Sequence, residues 1–187
     1  MQIPSPCARE FVYLGVAMDC IGNSYHIKDT FFTEVGDTSL MKNKEDGHYR
    51  PHFFCFHDSL DPNILWAVPQ SSKAAKYAGI MQAKISKYGR CDTIVIGNFG
   101  GRDNAFLIQN MFPILDCYID HVHTIDGVAV PLHPKLQSKI VASATRTLHL
   151  HRRGYHVLFA DVDRIYALMQ AKQKELDIHE RENAAVC

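Results

Sequence analysis

Two short apolar runs, Phe53–Phe56 and Ile64–Val68, flank the connector Asp58-Ser59-Leu60-Asp61-Pro62-Asn63. No other stretch constrains the fold of this chain as strongly. The connector is built from turn formers, so the runs read as the two strands of a hairpin. Antiparallel pairing sets the start of one strand beside the end of its partner. Tyr49, Arg50 and His52 lead into the first strand, and Ser71, Ser72 and Lys73 follow the second. The two groups are therefore expected at one rim of a sheet. Ser71 or Ser72 also suits the N-cap of a following helix, whose unpaired N–H groups favour a phosphate. A guanidinium, an imidazole, hydroxyls and a helix start at one rim make a candidate site. The bland alternative is a plain cap with a solvated lysine, a core-edge Tyr49 and a packed His52.

The rest of the chain divides into further hairpins and helices. Ser24–Ile27 reads as a strand, and Asp29 as the cap of a short helix to Val35, anchored by Phe31 and Phe32. A polar loop over 36–47 carries Lys42, Asn43 and Lys44 and arrives at Tyr49, where it can drape over the rim. The spacing of Tyr77, Met81, Ile85 and Tyr88 predicts a helix over 72–88, ended by Gly89. Thr93–Phe99 and Ala105–Ile108 flank Gly100-Gly101 as a second hairpin, and Asp126-Gly127 turns the run from Tyr118 into Val128–Val130. Pro134 opens a long helix to about Arg153 with Leu136, Ile140, Ala144 and Leu148 on one stripe. Asp161 caps a final helix over Val162–Leu176, on Ile165, Leu168 and Met169. Strand hairpins separated by helices predict an α+β fold, a twisted antiparallel barrel-like sheet with surrounding helices. A single domain is expected over 23–176. Residues 1–22 read as an N-terminal extension whose order the sequence does not settle, and 177–187 as a polar tail.

A chain of 187 residues is long enough to bury a core without disulfide or metal staples. Its formal net charge is zero, so bulk charge points to no partner. The distribution of charge says more. Lys73, Lys76, Lys84, Lys87 and Arg90 lie in an acid-free stretch from Pro69 to Cys91, and Lys135, Lys139, Arg146, Arg152 and Arg153 in another from Gly127 to Ala160. On one face they would make a polyanion footprint; on two solvated helices they would mean nothing. Gln109 and Asn110, at the end of a strand, either cap a turn or read a base edge. The six cysteines show no C-x-x-C pair, which fits a reduced, cytoplasmic protein, and no run approaches the ~18 apolar residues of a membrane span. Among the eleven histidines there is no H-E-x-x-H, and neither His121-x-His123 nor His149-x-His151 has partners at ligand spacing. On a strand His121 and His123 would face the same way; on a helix His149 and His151 would not. No metal and no cofactor are expected. A phosphate-cradling glycine loop and a Gly-x-Ser-x-Gly elbow are both missing.

The stretches LMKNKEDGHYRPHFF, LWAVPQSSKAAKY and AFLIQNMFPI, in this order and spacing, resemble the endoribonuclease toxins of type III toxin–antitoxin systems. The resemblance is to the CptN-like branch, related to ToxN and AbiQ, and runs from about Tyr25 to Met169. It implies a barrel-like fold akin to the MazF/Kid toxins. It also implies metal-independent cleavage of single-stranded RNA to 2′,3′-cyclic phosphate and 5′-hydroxyl ends, and inhibition by a small repeated pseudoknot RNA that closes with the toxin into a ring. Ser72 corresponds to the essential serine of the family, Ser71 to its neighbour, and His52 to a cationic position. The ToxN branch has lysine there, so Arg50 or Lys73 would supply the charge instead. The chemistry of the residues agrees: His52 or Tyr49 would handle a proton, Lys73 and Arg50 would hold the phosphate, and Ser71 with Ser72 would orient it. Lys42, Asn43, Lys44, Lys76, Lys84, Lys87, Arg146, Arg152, Arg153 and Gln109 would bind flanking or antitoxin RNA. A non-catalytic RNA-binding protein using the same grooves is the alternative.

Overall fold

The computed structural model describes residues 21–45 and 47–185, so the expectation for an N-terminal extension falls almost wholly outside the described residues. β1 (Ser24–Ile27) leads into α1 (Asp29–Val35), the two-residue strands β2 (Lys44–Glu45) and β3 (His48–Tyr49), and the central hairpin of β4 (His52–His57) and β5 (Leu65–Ser71). α2 (Ala74–Tyr88) precedes a second hairpin, β6 (Val95–Phe99) with β7 (Arg102–Phe106), and then β8 (Phe112–Ile114) and β9 (Ile119–Val122). A small hairpin, β10 (Thr124–Ile125) with β11 (Val128–Ala129), comes before α3 (Pro134–Arg152) and α4 (Val162–Ala185). Both glycine-bearing turns behave as expected. Gly100 and Gly101 have φ of 62° and 79°, and Asp126 and Gly127 have 51° and 77°, the left-handed pairs that two-residue hairpin turns require.

Every pairing in the main sheet is antiparallel, in the order β6-β7-β5-β4-β1-β9. β5 holds the sheet together. Along one edge it pairs with β4, with His52 opposite Pro69 and Phe53 opposite Val68. Its other edge is shared, Leu65–Ala67 with β8 and Gln70–Ser71 with β7. The α+β class is as expected, but the sheet does not close as a barrel. Its terminal strands β6 and β9 do not pair with one another, because β5 divides its outer edge between two partners and the ladder ends on both sides.

Both faces of the hairpin are covered. Phe54 meets Tyr25 edge-on at 5.4 Å on one face, near the stacked rings of Phe31 and Phe112; Phe53 meets Phe106 at 6.2 Å on the other. Ile140, Ala144 and Leu148 of α3 are buried as the four-residue spacing predicts. Its N-terminal turn comes so close to β6 that a Cβ on Gly97 would lie 2.5 Å from Leu136 Cδ1. Asp161 caps α4 through Oδ1, which accepts from the Arg164 N–H at 3.1 Å, and the helix runs on through Ala185. Leu168, expected on its buried stripe, is 38% exposed. α2 also departs from expectation. No residue of it is buried; Tyr77 and Met81 rest half-buried on Ile94, Ala105 and Leu107, and Tyr88 is 66% exposed.

The tip of the central hairpin is fastened by a buried carboxylate. Asp58 accepts from Trp66 Nε1 at 2.6 Å, from the Leu60 N–H at 2.7 Å, from Tyr166 Oη at 3.2 Å and from the Arg152 guanidinium. Burial alone would raise this carboxyl, but those donors and the Arg152 charge outweigh it and hold it below the usual range. Its contribution to stability is therefore present above the ordinary carboxylate pKa and lost as pH falls through the lowered value. Asp58→Ala leaves a buried indole N–H and a guanidinium without their acceptor, and is expected to cost about 3 kcal/mol in urea unfolding. A loss within the ~0.5 kcal/mol typical of surface changes would show that the carboxylate is dispensable.

Candidate active site

The end of β5 opens onto a cavity of about 560 Å³. Ser71, Ser72 and Lys73 line it from the β5–α2 junction, and Tyr49 and Arg50 from the turn before β4, as hairpin pairing predicts. The opposite wall comes from elsewhere. β7 contributes Arg102 and Asn104, β1 contributes His26, and the β9–β10 segment contributes His121 and His123.

Ser71 is buried while Ser72 and Lys73 are exposed. Neither serine is the cap residue of α2. That place falls to Lys73, and the Ser71 hydroxyl accepts from the Lys73 N–H at 3.3 Å. Arg50 is 7% exposed, its Nη1 donating to the Gln70 carbonyl at 2.6 Å and its Nε to the Lys42 carbonyl at 3.1 Å. These bonds fix the turn before β4 against the end of β5. Tyr49 Oη donates to Asp29 Oδ2 at 3.0 Å, and Lys44 Nζ lies 3.0 Å from the same oxygen and 4.2 Å from the Tyr49 ring centre.

On the far wall, His26 Nε2 is 2.9 Å from His123 Nδ1, and the His26 ring stacks on His121 with centroids 4.7 Å apart. Burial, with the neighbouring imidazoles His121 and His123, lowers His26 to about 4. Burial, Arg102 and His121 also lower His123. Both rings are therefore neutral near pH 7. Among the described residues, no group of three or more His, Cys, Asp or Glu side chains is arranged to hold a metal ion.

One solved structure with a similar fold is AbiQ, a lactococcal anti-phage endoribonuclease belonging to the type-III toxin-antitoxin system. It superposes with a TM-score of 0.57 at 11% identity, over 83% of this chain and 97% of AbiQ. This chain has the AbiQ fold. A second match, from a bacterial antiviral system regulated by a processed non-coding RNA, gives a TM-score of 0.57 at 10% identity, over 82% of this chain and 98% of the other. No family model and no curated protein matches the sequence.

Within the AbiQ fold, the histidine expected at the catalytic rim is elsewhere. His52 is 0% exposed and faces the core, 5.6 Å from the Phe112 ring and 6.1 Å from that of Phe32. Neither of its ring nitrogens makes a well-formed hydrogen bond. Burial first, then the charges of Arg50 and His26, lowers it to about 3. His52 shares a strand face with Phe54, two residues on, and that parity turns it inward. It cannot carry a proton to a substrate in the cavity.

The loop before β3 is a brace more than a grip. Asn43 is buried and donates to the Ile27 carbonyl at 2.9 Å and to Asp29 Oδ1 at 2.8 Å, whereas the Lys42 side chain is exposed. None of Lys42, Asn43 and Lys44 lines the cavity. The basic stretches also divide. Lys84 Nζ donates to Thr93 Oγ1 at 2.8 Å and to Gln109 Oε1 at 2.7 Å, and Gln109 itself is buried, so it presents no edge to a base. Arg146 grips Asp92 Oδ1 with Nε at 3.1 Å and Nη2 at 2.8 Å, and Arg152 is bound to Asp58. Lys76, Lys87 and Arg153 are exposed. What sequence reasoning missed was the far wall of Arg102, His26, His121 and His123. The shared facing of His121 and His123 on a strand was the available signal.

Proposed function

We propose that this chain is the endoribonuclease toxin of a type III toxin–antitoxin system, a member of the ToxN/AbiQ superfamily and, by the resemblance of its sequence motifs, of the CptN-like branch. One observation carries the reading. In a fold shared with an endoribonuclease, Ser71, Ser72 and Lys73 share a cavity with two guanidinium-bearing side chains, Arg50 and Arg102, and with imidazoles.

The substrate is single-stranded RNA, and cleavage without metal leaves a 2′,3′-cyclic phosphate and a 5′-hydroxyl. Such a step needs a base for the 2′-hydroxyl, positive charge for the phosphorane and an acid for the departing oxygen. Lys73 and Arg102 supply charge, Ser72 orients a phosphate oxygen, and Ser71 holds the entrance of α2 in place. Arg50, tied to main-chain carbonyls, both frames the site and adds field to it. Tyr49 stands at the mouth, 41% exposed, where a base can rest on its ring. The antitoxin is a small repeated RNA folded as a pseudoknot that closes with the toxin into a ring, and the exposed Lys42, Lys76, Lys87 and Arg153 are among the cations open to it. The site of action is the cytoplasm; no helix among the described residues is long and apolar enough to cross a membrane.

Incubating the purified protein with single-stranded RNA in excess chelator tests this. Cyclic-phosphate ends are expected, reduced by roughly 10²-fold or more in Ser72→Ala. Tight binding without scission would replace the enzyme with an RNA-binding protein, and scission only with added metal would overturn the metal-free chemistry.

A further inference from the structure

His121 and His123 lie two residues apart on one face of the edge strand and its extension, and both turn toward His26 on β1. The contact between His26 Nε2 and His123 Nδ1, 2.9 Å long, leaves Nε2 as the His123 nitrogen available to a substrate. The Phe99 ring, 5.4 Å away, flanks the same imidazole. His121 is 59% exposed, and the Asp120 carboxylate lies 3.0 Å from its Nδ1, where it can balance an imidazolium. All three rings line the cavity that holds Ser72 and Lys73. Two imidazoles with one open nitrogen each, in the cavity that also holds Ser72, Lys73 and Arg102, match in number the two proton transfers of RNA cleavage.

We propose that His123 and His121 move the protons of RNA cleavage, with His26 as the positioning residue behind them. The assignment rests on the endoribonuclease reading above. His123 Nε2 takes the 2′-hydroxyl proton as the oxygen's electron pair forms the O2′–P bond. His121 enters as an imidazolium and gives its proton to the 5′-oxygen, which leaves with the electron pair of the P–O5′ bond. The products are the cyclic phosphate and the 5′-hydroxyl. His123 then holds the proton that His121 lost, and exchange with water resets the pair. Burial and the charge of Arg102 favour the neutral form of His123, as a base requires; the Asp120 carboxylate accepts from His121 Nδ1 at 3.0 Å, which leaves Nε2 of His121 to serve as the acid. In this step His26 Nε2 accepts from the Nδ1–H of His123, which leaves the lone pair of His123 Nε2 aimed into the cavity.

The test is single-turnover cleavage of a short single-stranded RNA in chelator, alongside binding of its uncleavable 2′-deoxy analogue. His121→Ala and His123→Ala should each slow cleavage by about 10²-fold or more while binding changes by no more than about threefold. With sulfur in place of the 5′-oxygen at the mapped scissile bond, the leaving group needs no proton. His121→Ala should then regain the wild-type rate, and His123→Ala should not. His26→Gln should lower kcat at unchanged KM and gain nothing from the sulfur substrate. Wild-type rates in both alanine variants, or sulfur rescue of His123→Ala in place of His121→Ala, would overturn the assignment and leave the endoribonuclease reading standing. No cleavage by the wild type would overturn both. Thermal unfolding checks that His123→Ala folds; if it does not, the sulfur rescue of the exposed His121→Ala decides alone.

Discussion

Acidification from about pH 7 to about pH 5 is expected to cost this protein about 4 kcal/mol of stability, near 2 kcal/mol from each of two buried imidazoles. His52 lies at about 3 and His26 at about 4 in the folded chain, against an ordinary value of 6.5. Between those limits the unfolded chain binds protons that the folded one refuses. Stability is thus complete above the ordinary value and falls as pH drops through it, by up to ~1.4 kcal/mol per pH unit for each ring. For a domain holding only ~5–15 kcal/mol this is a large share. Urea unfolding at a series of pH values measures it, and a flat profile from 7 to 5 would show that these rings are not buried neutral. His52→Leu separates the two contributions. It should remove about half of the acid loss and keep RNA cleavage within about threefold of wild type, because this side chain meets Phe32 and Phe112 and not the cavity. A collapse of cleavage in that variant would return His52 to the reaction.

Arg102→Ala should lower the single-turnover cleavage rate by ~10²–10³-fold, the usual effect of removing one preorganised charge from a transition state. Arg102 faces the cavity from the first residue of β7, directly after the Gly100-Gly101 turn, and its charge is already felt at His123. A phosphorane carries more negative charge than the phosphodiester from which it forms, so the loss belongs in kcat more than in binding. Arg102→Lys keeps the charge but not the planar fork, and should recover part of the rate. Equal loss in KM and none in kcat would demote Arg102 to an RNA-binding cation.

The rim of the central hairpin was legible because local chemistry specifies it. Turn formers from Asp58 to Asn63 dictate the pairing of the two apolar runs, and pairing alone puts Tyr49 and Arg50 beside Ser71, Ser72 and Lys73. His52 was misplaced for a physical reason. A histidine at a strand start reads as a rim residue, yet a strand buried on both faces has no wet side, and parity with Phe54 sends it inward. The basic stretches misled in a similar way. Counting acids along the chain cannot reveal Asp92 beside Arg146 or Asp58 beside Arg152, since both partners arrive from other elements. Lys84, Thr93 and Gln109 join by the same route.

By itself, then, the sequence determined what short range can determine. Hairpin turns, the stripe of α3, the Gly89 and Asp161 caps, the α+β class and one wall of the cavity follow from neighbours within a few positions, where backbone preference and periodicity act; the caps expected of Asp29 and of Ser71 or Ser72 fall instead to Lys28 and Lys73. Only the tertiary structure decided that the sheet stays open, that His52 is core, and that His26 meets His121 and His123. Those last contacts depend on β1 pairing with β9, and His26 and His123 are 97 positions apart in the chain. Long-range pairing is set by the packing of the whole core, and no local pattern encodes it.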